Sequence, residues 1–255
     1  MDRRRFIAMV GATSVGSAMG ASNFRPPYSP SSRKVRAIAF DAFVIFDPRP
    51  IAKRVEEVFP GRGPQLTVQW RSRQFEYTWL RTSGAQYKDF WHVTDDALTQ
   101  VTESMGVELD SNEREYLMSA YLELPIWPEV PAVLEKVRHR RIRMAFLSNF
   151  TAEMMRTNLR RAGLSEYFED LLTTDRVKSF KPSPRAYQMG LDHFGLARNE
   201  VLFAAFAGWD AVGAKWFGYP TAWVNRAKMP PERLDLTPDF TLADMDELSE
   251  VIPFK

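Results

Sequence analysis

The run from Val35 to Phe40 is the feature that most constrains how this chain can fold. It is almost wholly apolar, it favours β structure, and it ends directly at Asp41. Such a run is typical of a buried strand in a parallel sheet. Open α/β sheets bind ligands at the carboxyl ends of their strands, so an acidic residue there is a candidate nucleophile. The sequence therefore predicts Asp41 at a functional edge of the sheet.

Further apolar runs alternate with helical patterns in the second half of the chain. We predict strands at 144–147, 171–173, 201–206 and 221–224, and a last short strand and helix within 240–251. Such alternation predicts a parallel sheet with helices on both faces. Two helix starts matter for the candidate site: after the first strand a helical pattern begins only near Pro50, and the helix after the fourth strand begins at Ala211.

The segment 51–125 differs, because its patterns are all helical and dense in aromatic residues. We therefore predict the α/β fold class, with a Rossmann-like core made of residues 33–50 and 126–255 and a helical cap inserted at 51–125. A cap over the carboxyl edge of the sheet would exclude water from a small site.

The N-terminus carries an arginine run ahead of a weakly apolar segment. Arg3, Arg4 and Arg5 precede a stretch rich in Gly, Ala and Ser. This pattern is typical of a twin-arginine export signal, and the stretch is too short to span a bilayer stably. We predict a signal peptide at 1–21, a linker at 22–32 and a periplasmic or exported protein. The alternative is a basic, disordered tail.

Composition excludes several kinds of site. The chain has no cysteine, which excludes disulfides, cysteine-ligated metals and thiol catalysis. Its three histidines, His92, His139 and His193, lack the spacing of zinc ligands. A net charge of +2 over 255 residues gives no argument for a nucleic-acid partner. We therefore predict neither a metal nor another cofactor.

Polar residues follow the first four predicted strands. Asp41 follows the first, Ser148 and Asn149 follow the second, and Lys181 and Asp210 lie beyond the third and fourth. In a parallel sheet all of them reach one edge. Lys181 would keep Asp41 ionised, Ser148 and Asn149 would donate hydrogen bonds to a carboxylate, and Asp210 would hold Lys181 or orient water. Each alone has an ordinary explanation as a cap or a solvated side chain, so it is their ordered recurrence that indicates a site.

Longer segments extend this pattern over residues 35–250. They are Phe40-Asp41-Ala42-Phe43, Phe59-Pro60-Gly61-Arg62-Gly63, Trp70-Arg71, Glu76-Tyr77-Thr78-Trp79-Leu80-Arg81, Leu147-Ser148-Asn149, Lys181-Pro182, Trp209-Asp210-Ala211 and Asn225-Arg226. In order and content the chain resembles the haloacid dehalogenase superfamily, and in detail its L-2-haloacid dehalogenase (type II) branch.

The resemblance implies a two-step displacement on a small anionic substrate. Asp41 would attack C2 of a short 2-haloalkanoic acid, expel halide and invert the centre, and water would then hydrolyse the aspartyl ester. By the same resemblance Arg71 would cradle the leaving halide, and Lys181 would hold Asp41 ionised. Ser148 and the amide of Asn149 would bind the substrate carboxylate.

The resemblance also implies the walls of the pocket. Phe43, Phe90 and Trp209 would line it, where apolar walls strengthen charge contacts, and Tyr187 would support Lys181. Phe43 stands where phosphatases of the superfamily usually carry a second Asp, which disfavours a phosphatase mechanism and its Mg²⁺ site. The aromatic-rich cap helices suggest homodimer contacts.

The chain departs from the branch at two places beside the nucleophile, and its export signal is a third difference. The segment after Asp41 is one residue shorter than the usual Asp-x-Tyr-Gly-Thr-Leu-Phe-Asp and lacks its Gly and Thr. Ala205 and Ala207 stand where Ser-x-Asn often precedes Trp-Asp. Losing such positioned polar groups can cost roughly 10²–10³ in rate each. We therefore predict weakened ester hydrolysis or a different substrate.

Two alternatives remain open at this stage. One is another hydrolase of the superfamily that acts on a small anion such as a phosphate ester. The other is a catalytically silent periplasmic protein that keeps the pocket to bind a small carboxylate. The missing hydroxyl and amide favour the silent protein, whereas the presence of both Asp41 and Lys181 favours an enzyme.

Overall fold

The computed structural model describes residues 35–251, so the predicted signal peptide at 1–21 and linker at 22–32 lie outside the described residues. Six strands within that range form one sheet in the order β3-β2-β1-β4-β5-β6, and each neighbouring pair is parallel. The prediction of a Rossmann-like parallel sheet is confirmed. The strands are β1 (Ala37–Phe40), β2 (Arg143–Ser148), β3 (Leu171–Thr173), β4 (Val201–Ala205), β5 (Thr221–Val224) and β6 (Phe240–Leu242).

The α-helices of the same range fall into two groups along the chain. The first six follow one another between β1 and β2, and the others alternate with strands. None of those described combines the length and apolarity needed to cross a bilayer. They are α1 (Ala42–Ile45), α2 (Arg49–Val58), α3 (Gly63–Ser83), α4 (Phe90–Ser104), α5 (Ser111–Ser119), α6 (Val130–His139), α7 (Ala152–Ala162), α8 (Pro184–Phe194), α9 (Gly208–Phe217) and α10 (Met245–Val251).

Strand β1 lies in the middle of the sheet. Its last residue, Phe40, pairs with Phe146 of β2 and Ala204 of β4, and all of β1 is fully buried. A strand covered on both faces needs an almost continuous apolar sequence, which explains why the run before Asp41 shows no polar alternation. The amide of Asp41 donates to the carbonyl oxygen of Ala204 at 3.0 Å, which holds the residue at the carboxyl edge between β2 and β4.

Two helices beside the candidate site begin earlier than predicted. The sequence predicts no helix before about Pro50, yet α1 follows Asp41 directly. Every residue of α1 is buried, so no contrast of polar and apolar positions marks its helical period. Helix α9 begins at Gly208 rather than Ala211, and Asp210 therefore lies in its first turn. The predicted end of α7 at Gly163 is confirmed, because this glycine adopts φ +67° as a left-handed C-cap.

Helices α3 and α4 form the paired centre of the helical segment. The indole N–H of Trp70 donates to the carbonyl oxygen of Thr94 at 2.8 Å, and the side-chain amide of Gln74 donates to the Thr94 hydroxyl at 2.6 Å. All three side chains are buried. These bonds hold the face of α3 that carries Arg71. The division into a core and a cap at 51–125 stays a prediction.

Candidate active site

Three charged side chains from three parts of the chain meet at the carboxyl edge of the sheet. The ammonium of Lys181 donates to Asp41 Oδ2 at 2.8 Å and to Asp210 Oδ2 at 2.6 Å. Asp41 Oδ1 accepts from the amide of Phe43 at 3.0 Å, so the carboxylate also caps α1. The side chain of Asp41 stays 13% exposed, whereas those of Lys181 and Asp210 are 1% and 2% exposed. The cluster is therefore buried behind a carboxylate that still reaches the pocket.

The electrostatics of this cluster favour a charged lysine. Burial opposes the charge of Lys181, but Asp210 and Asp41 outweigh it and raise its pKa above the ordinary value. Burial raises the pKa of Asp210 to about 6, with Lys181 acting against this shift and Asp41 adding to it. Two carboxylates thus share one ammonium, and the more deeply buried Asp210 bears the larger desolvation cost.

A pocket of about 330 Å³ opens beside Asp41. All the predicted site residues except Tyr187 line it. The full set of lining residues is Asp41, Phe43, Arg71, Phe75, Phe90, Ser148, Asn149, Phe150, Lys181, Phe206, Ala207, Trp209 and Asp210.

Arg71 is the cation on the helical side of this pocket. Its guanidinium carbon lies 5.2 Å from the ring centre of Phe43, 5.7 Å from Phe75 and 5.6 Å from Phe206. No carboxylate among residues 35–251 forms an ion pair or hydrogen bond with it. Burial lowers the pKa of Arg71, although Tyr121 and Asp41 act against the shift, and a guanidinium keeps its charge at any physiological pH. A half-buried, unpaired arginine of this kind is suited to binding an anion.

Ser148 and Asn149 supply hydrogen-bond donors on the opposite side. Ser148 Oγ accepts from the amide of Phe150 at 3.2 Å, which leaves its hydroxyl proton for another acceptor. Asn149 Oδ1 accepts from the backbone amide of Lys181 at 3.0 Å, which leaves the side-chain N–H groups as donors. The pocket therefore offers an anionic ligand both the Arg71 cation and the donors of Ser148 and Asn149.

Comparisons with known proteins agree with this arrangement. The sequence model of the haloacid dehalogenase-like hydrolases matches residues 24–218. The chain belongs to this family. It is 37% identical to the (S)-2-haloacid dehalogenase of Pseudomonas sp. (strain YL) over 218 residues, which cover 85% of this chain and 94% of that protein. Relatives of this kind make the chain a dehalogenase-like hydrolase.

Two solved structures resemble this hydrolase over most of their length. The L-2-haloacid dehalogenase RSc1362 has a TM-score of 0.84 and 38% identity, with 86% of this chain and 99% of that chain covered. The L-2-haloacid dehalogenase from Xanthobacter autotrophicus with chloropropionic acid covalently bound has a TM-score of 0.79 and 30% identity. The coverage there is 86% of this chain and 98% of that chain.

Tyr187 is the one predicted site residue that does not line the pocket of this hydrolase. Its hydroxyl donates to Asp210 Oδ1 at 2.7 Å and its side chain is fully buried. It therefore reaches Lys181 only through Asp210, because α8 packs behind the ionic cluster rather than beside the opening. Support of Lys181 by Tyr187, and a part for Tyr187 in substrate binding, stay predictions.

The sequence does not predict that four further residues line the pocket. They are Phe75, Phe150, Phe206 and Ala207. Only Phe75 carries a usable signal, since it follows Arg71 by one helical turn. Ala205, where a polar side chain was expected, is fully buried in the core and does not line the pocket. Within residues 35–251, no three His, Asp or Glu side chains come together as metal ligands.

Proposed function

We propose that this hydrolase displaces halide from a short 2-haloalkanoic acid, with Asp41 as the nucleophile and an aspartyl ester as the intermediate. One observation carries the proposal: the Asp41 carboxylate, paired with Lys181, shares a small pocket with the unpaired guanidinium of Arg71. A carboxylate that attacks carbon and a cation that receives an anion are the two groups that such a displacement needs.

In the first step, an oxygen of Asp41 forms a bond to C2 as the bond from C2 to the halogen breaks. The halide leaves with the bonding electron pair, and Arg71 stabilises it. Ser148 and Asn149 hold the substrate carboxylate, so the attack comes from the face opposite the halogen and inverts the centre. Lys181 stabilises the charged nucleophile, and the aromatic walls exclude water that would weaken these contacts.

In the second step, water adds to the carbonyl carbon of the ester on Asp41 and loses a proton to solvent. The 2-hydroxy acid then leaves and the carboxylate of Asp41 is restored. We propose that this step is slow in this chain, because Ala207 contributes no polar group to the wall. Among residues 35–251, the carboxylate of Asp41 accepts only from the Phe43 amide and Lys181, so no side-chain hydroxyl assists it.

The test combines mass spectrometry with a matched pair of variants. The intact protein is incubated with racemic 2-chloropropionate, and its mass and the released chloride are measured. We expect a transient gain of one substituted propionate on Asp41. Asp41→Asn should lose roughly 10⁴-fold or more in turnover, whereas Asp235→Asn, at an exposed position, should not. Undiminished chloride release by Asp41→Asn would overturn the proposal.

The relative speed of the two steps has its own measurement. If ester hydrolysis is slow, the first turnover should release chloride in a burst that is faster than the steady rate. A linear time course at full rate would contradict the weakened second step. Calorimetric binding of 2-haloacids without chloride release would instead favour the silent binding protein, and Mg²⁺-dependent phosphate release from an aryl phosphate would favour a phosphatase.

Export and dimer formation also remain proposals for this chain. The arginine run at 3–5 and the apolar stretch behind it support twin-arginine export. Residues 1–32 fused to a folded reporter should carry it to the periplasm, and replacing Arg4 and Arg5 by Lys should stop this. Light scattering of the purified protein tests the dimer.

A further inference from the structure

Residues of the helical segment contact the loop that carries Lys181. The amide of Phe180, the residue before Lys181, donates to the Thr82 hydroxyl oxygen at 3.1 Å. The ring of Tyr87 stacks on the Phe180 ring with centres 4.7 Å apart and an angle of 28°. Phe180 is fully buried. The backbone next to the buried ammonium is therefore held from the end of α3 and the connection that follows it.

Tyr87 also holds the loop at its other end. Its hydroxyl donates to Asp175 Oδ1 at 2.7 Å, and Asp175 accepts a second hydrogen bond from the Thr173 hydroxyl at 3.1 Å. Burial and the bond to Asp175 raise the pKa of Tyr87 above its usual range, so the hydroxyl stays a donor. One side chain thus contacts the segment that leaves β3 at Asp175 and again at Phe180.

The backbone of this loop needs such outside support. Lys178 adopts φ +49°, a left-handed conformation that side-chain-bearing residues other than Asn and Asp rarely take. Its ammonium lies 5.2 Å from the ring centre of Tyr87. Conformations of this kind persist only when surrounding contacts over-determine them. Without Tyr87 the loop would be free to relax, and Lys181 would move with it.

We propose that Tyr87, assisted by Thr82, is a positioning residue that fixes the position of Lys181 relative to Asp41. The packing of the helical segment against the loop of Lys181 thereby affects the reactivity of the Asp41 carboxylate. This inference rests on the proposed role of Asp41 and Lys181. Tyr87 does not line the pocket, so it acts on the rate of the first step and not on substrate binding. Misplacement of a catalytic group by about 1 Å can cost roughly 100-fold in rate.

The first experiment compares two tyrosines that make the same kind of bond. Tyr87→Phe removes the hydroxyl bonded to Asp175, and Tyr116→Phe removes a hydroxyl that donates to Glu57 at 2.6 Å on the exposed side of the helical segment. We expect Tyr87→Phe to lower the rate of the single-turnover chloride burst about 3-fold to 10-fold, while the substrate concentration that half-saturates the burst stays nearly unchanged. Tyr116→Phe should leave both unchanged.

The second experiment tests the other contact. Thr82→Val keeps the shape of the side chain but removes the acceptor for the Phe180 amide, and should slow the burst by a similar factor. Thr82→Ser keeps the hydroxyl and should recover most of the lost rate. A role in stability alone would lower the melting temperatures of these variants and leave the burst rates alone.

The alkaline limb of the pH–rate profile gives a third readout. Lys181 faces Asp41, Asp210 and, through Asp210, Tyr187, and the two carboxylates are what raise its pKa. If Tyr87→Phe loosens these contacts, the alkaline limb moves to lower pH. Unchanged burst rates and pH limbs in both Tyr87→Phe and Thr82→Val would overturn this inference alone, provided Asp41→Asn is inactive. Full activity of Asp41→Asn would overturn the proposed function as well.

Discussion

The cations on the two sides of the pocket differ in whether a carboxylate pairs with them. On the sheet side, the buried ammonium of Lys181 donates to both Asp41 and Asp210, at 2.8 and 2.6 Å. On the helical side, Arg71 meets three aromatic rings and no carboxylate of the described residues. The charged groups of the sheet side are paired with one another, whereas the helical side leaves a positive charge without a paired carboxylate. We therefore expect Lys181 to contribute mainly to stability and Arg71 mainly to ligand binding. Variants of the two residues should show these two effects separately.

The largest effect is expected at Lys181. Lys181→Met leaves two buried carboxylates without a cation, which should cost about 3–5 kcal/mol of unfolding free energy and abolish measurable turnover. Proton uptake relieves part of this cost, so the loss of stability should grow as pH rises. Urea denaturation measures it. Lys215→Met, which breaks a more exposed pair with Asp239 at 2.9 Å, should cost only about 1 kcal/mol. An equal loss of unfolding free energy in the two variants would contradict the special role of the Lys181 cluster in stability.

Arg71→Met should reduce turnover with little effect on stability. Met keeps the apolar contacts with the rings and removes a desolvated charge, so the unfolding free energy should change by less than about 1 kcal/mol. Turnover should fall roughly 10²–10³-fold because the leaving halide loses its cation. Arg73→Met, on the same helix but paired with Glu76 at 2.8 Å, is the matched control and should retain activity. Strong destabilisation by Arg71→Met would show that this cation is structural after all.

The pH dependence of stability should reveal Asp210. Because its pKa is raised to about 6 in the folded protein, the folded state binds a proton that the unfolded state releases already near pH 4. The contribution of Asp210 to the unfolding free energy should therefore fall as pH rises from about 4 to 6, by up to about 1.4 kcal/mol per pH unit, and then level off. Asp210→Asn should lack this fall. Asp235→Asn should keep it, and parallel curves for all three proteins would refute the assignment.

The smallest expected effect concerns the wall at Ala207. Ala207→Asn introduces an amide where this chain has none, and should speed ester hydrolysis by about tenfold, the value of one positioned hydrogen bond. Ala207→Leu adds a similar volume without polar groups and should not. The ratio of burst rate to steady rate reports the change. An equal gain from Leu would mean that volume, not hydrogen bonding, limits this step.

The sequence predicts the two sides of the pocket unequally well. Asp41, Lys181 and Asp210 were found because each follows a buried strand, and the topology of a parallel sheet brings such positions to one edge. Arg71 was found only through the resemblance to a known family, since an arginine on a helix is usually solvated. Phe206 and the supporting Tyr87 carry no local signal at all. Their contacts join segments far apart in the chain.

The amino-acid sequence by itself determined the alternation of strands and helices, the burial of β1 and the edge at which Asp41 lies. These features follow from the local periodicity of apolar residues and from the order of the predicted elements along the chain. Only the tertiary structure decided that Tyr187 lies behind Asp210, that Ala205 is in the core, and that Tyr87 reaches the loop of Lys181. The physical reason is that periodicity records which face of an element is buried. It does not record which other element covers that face.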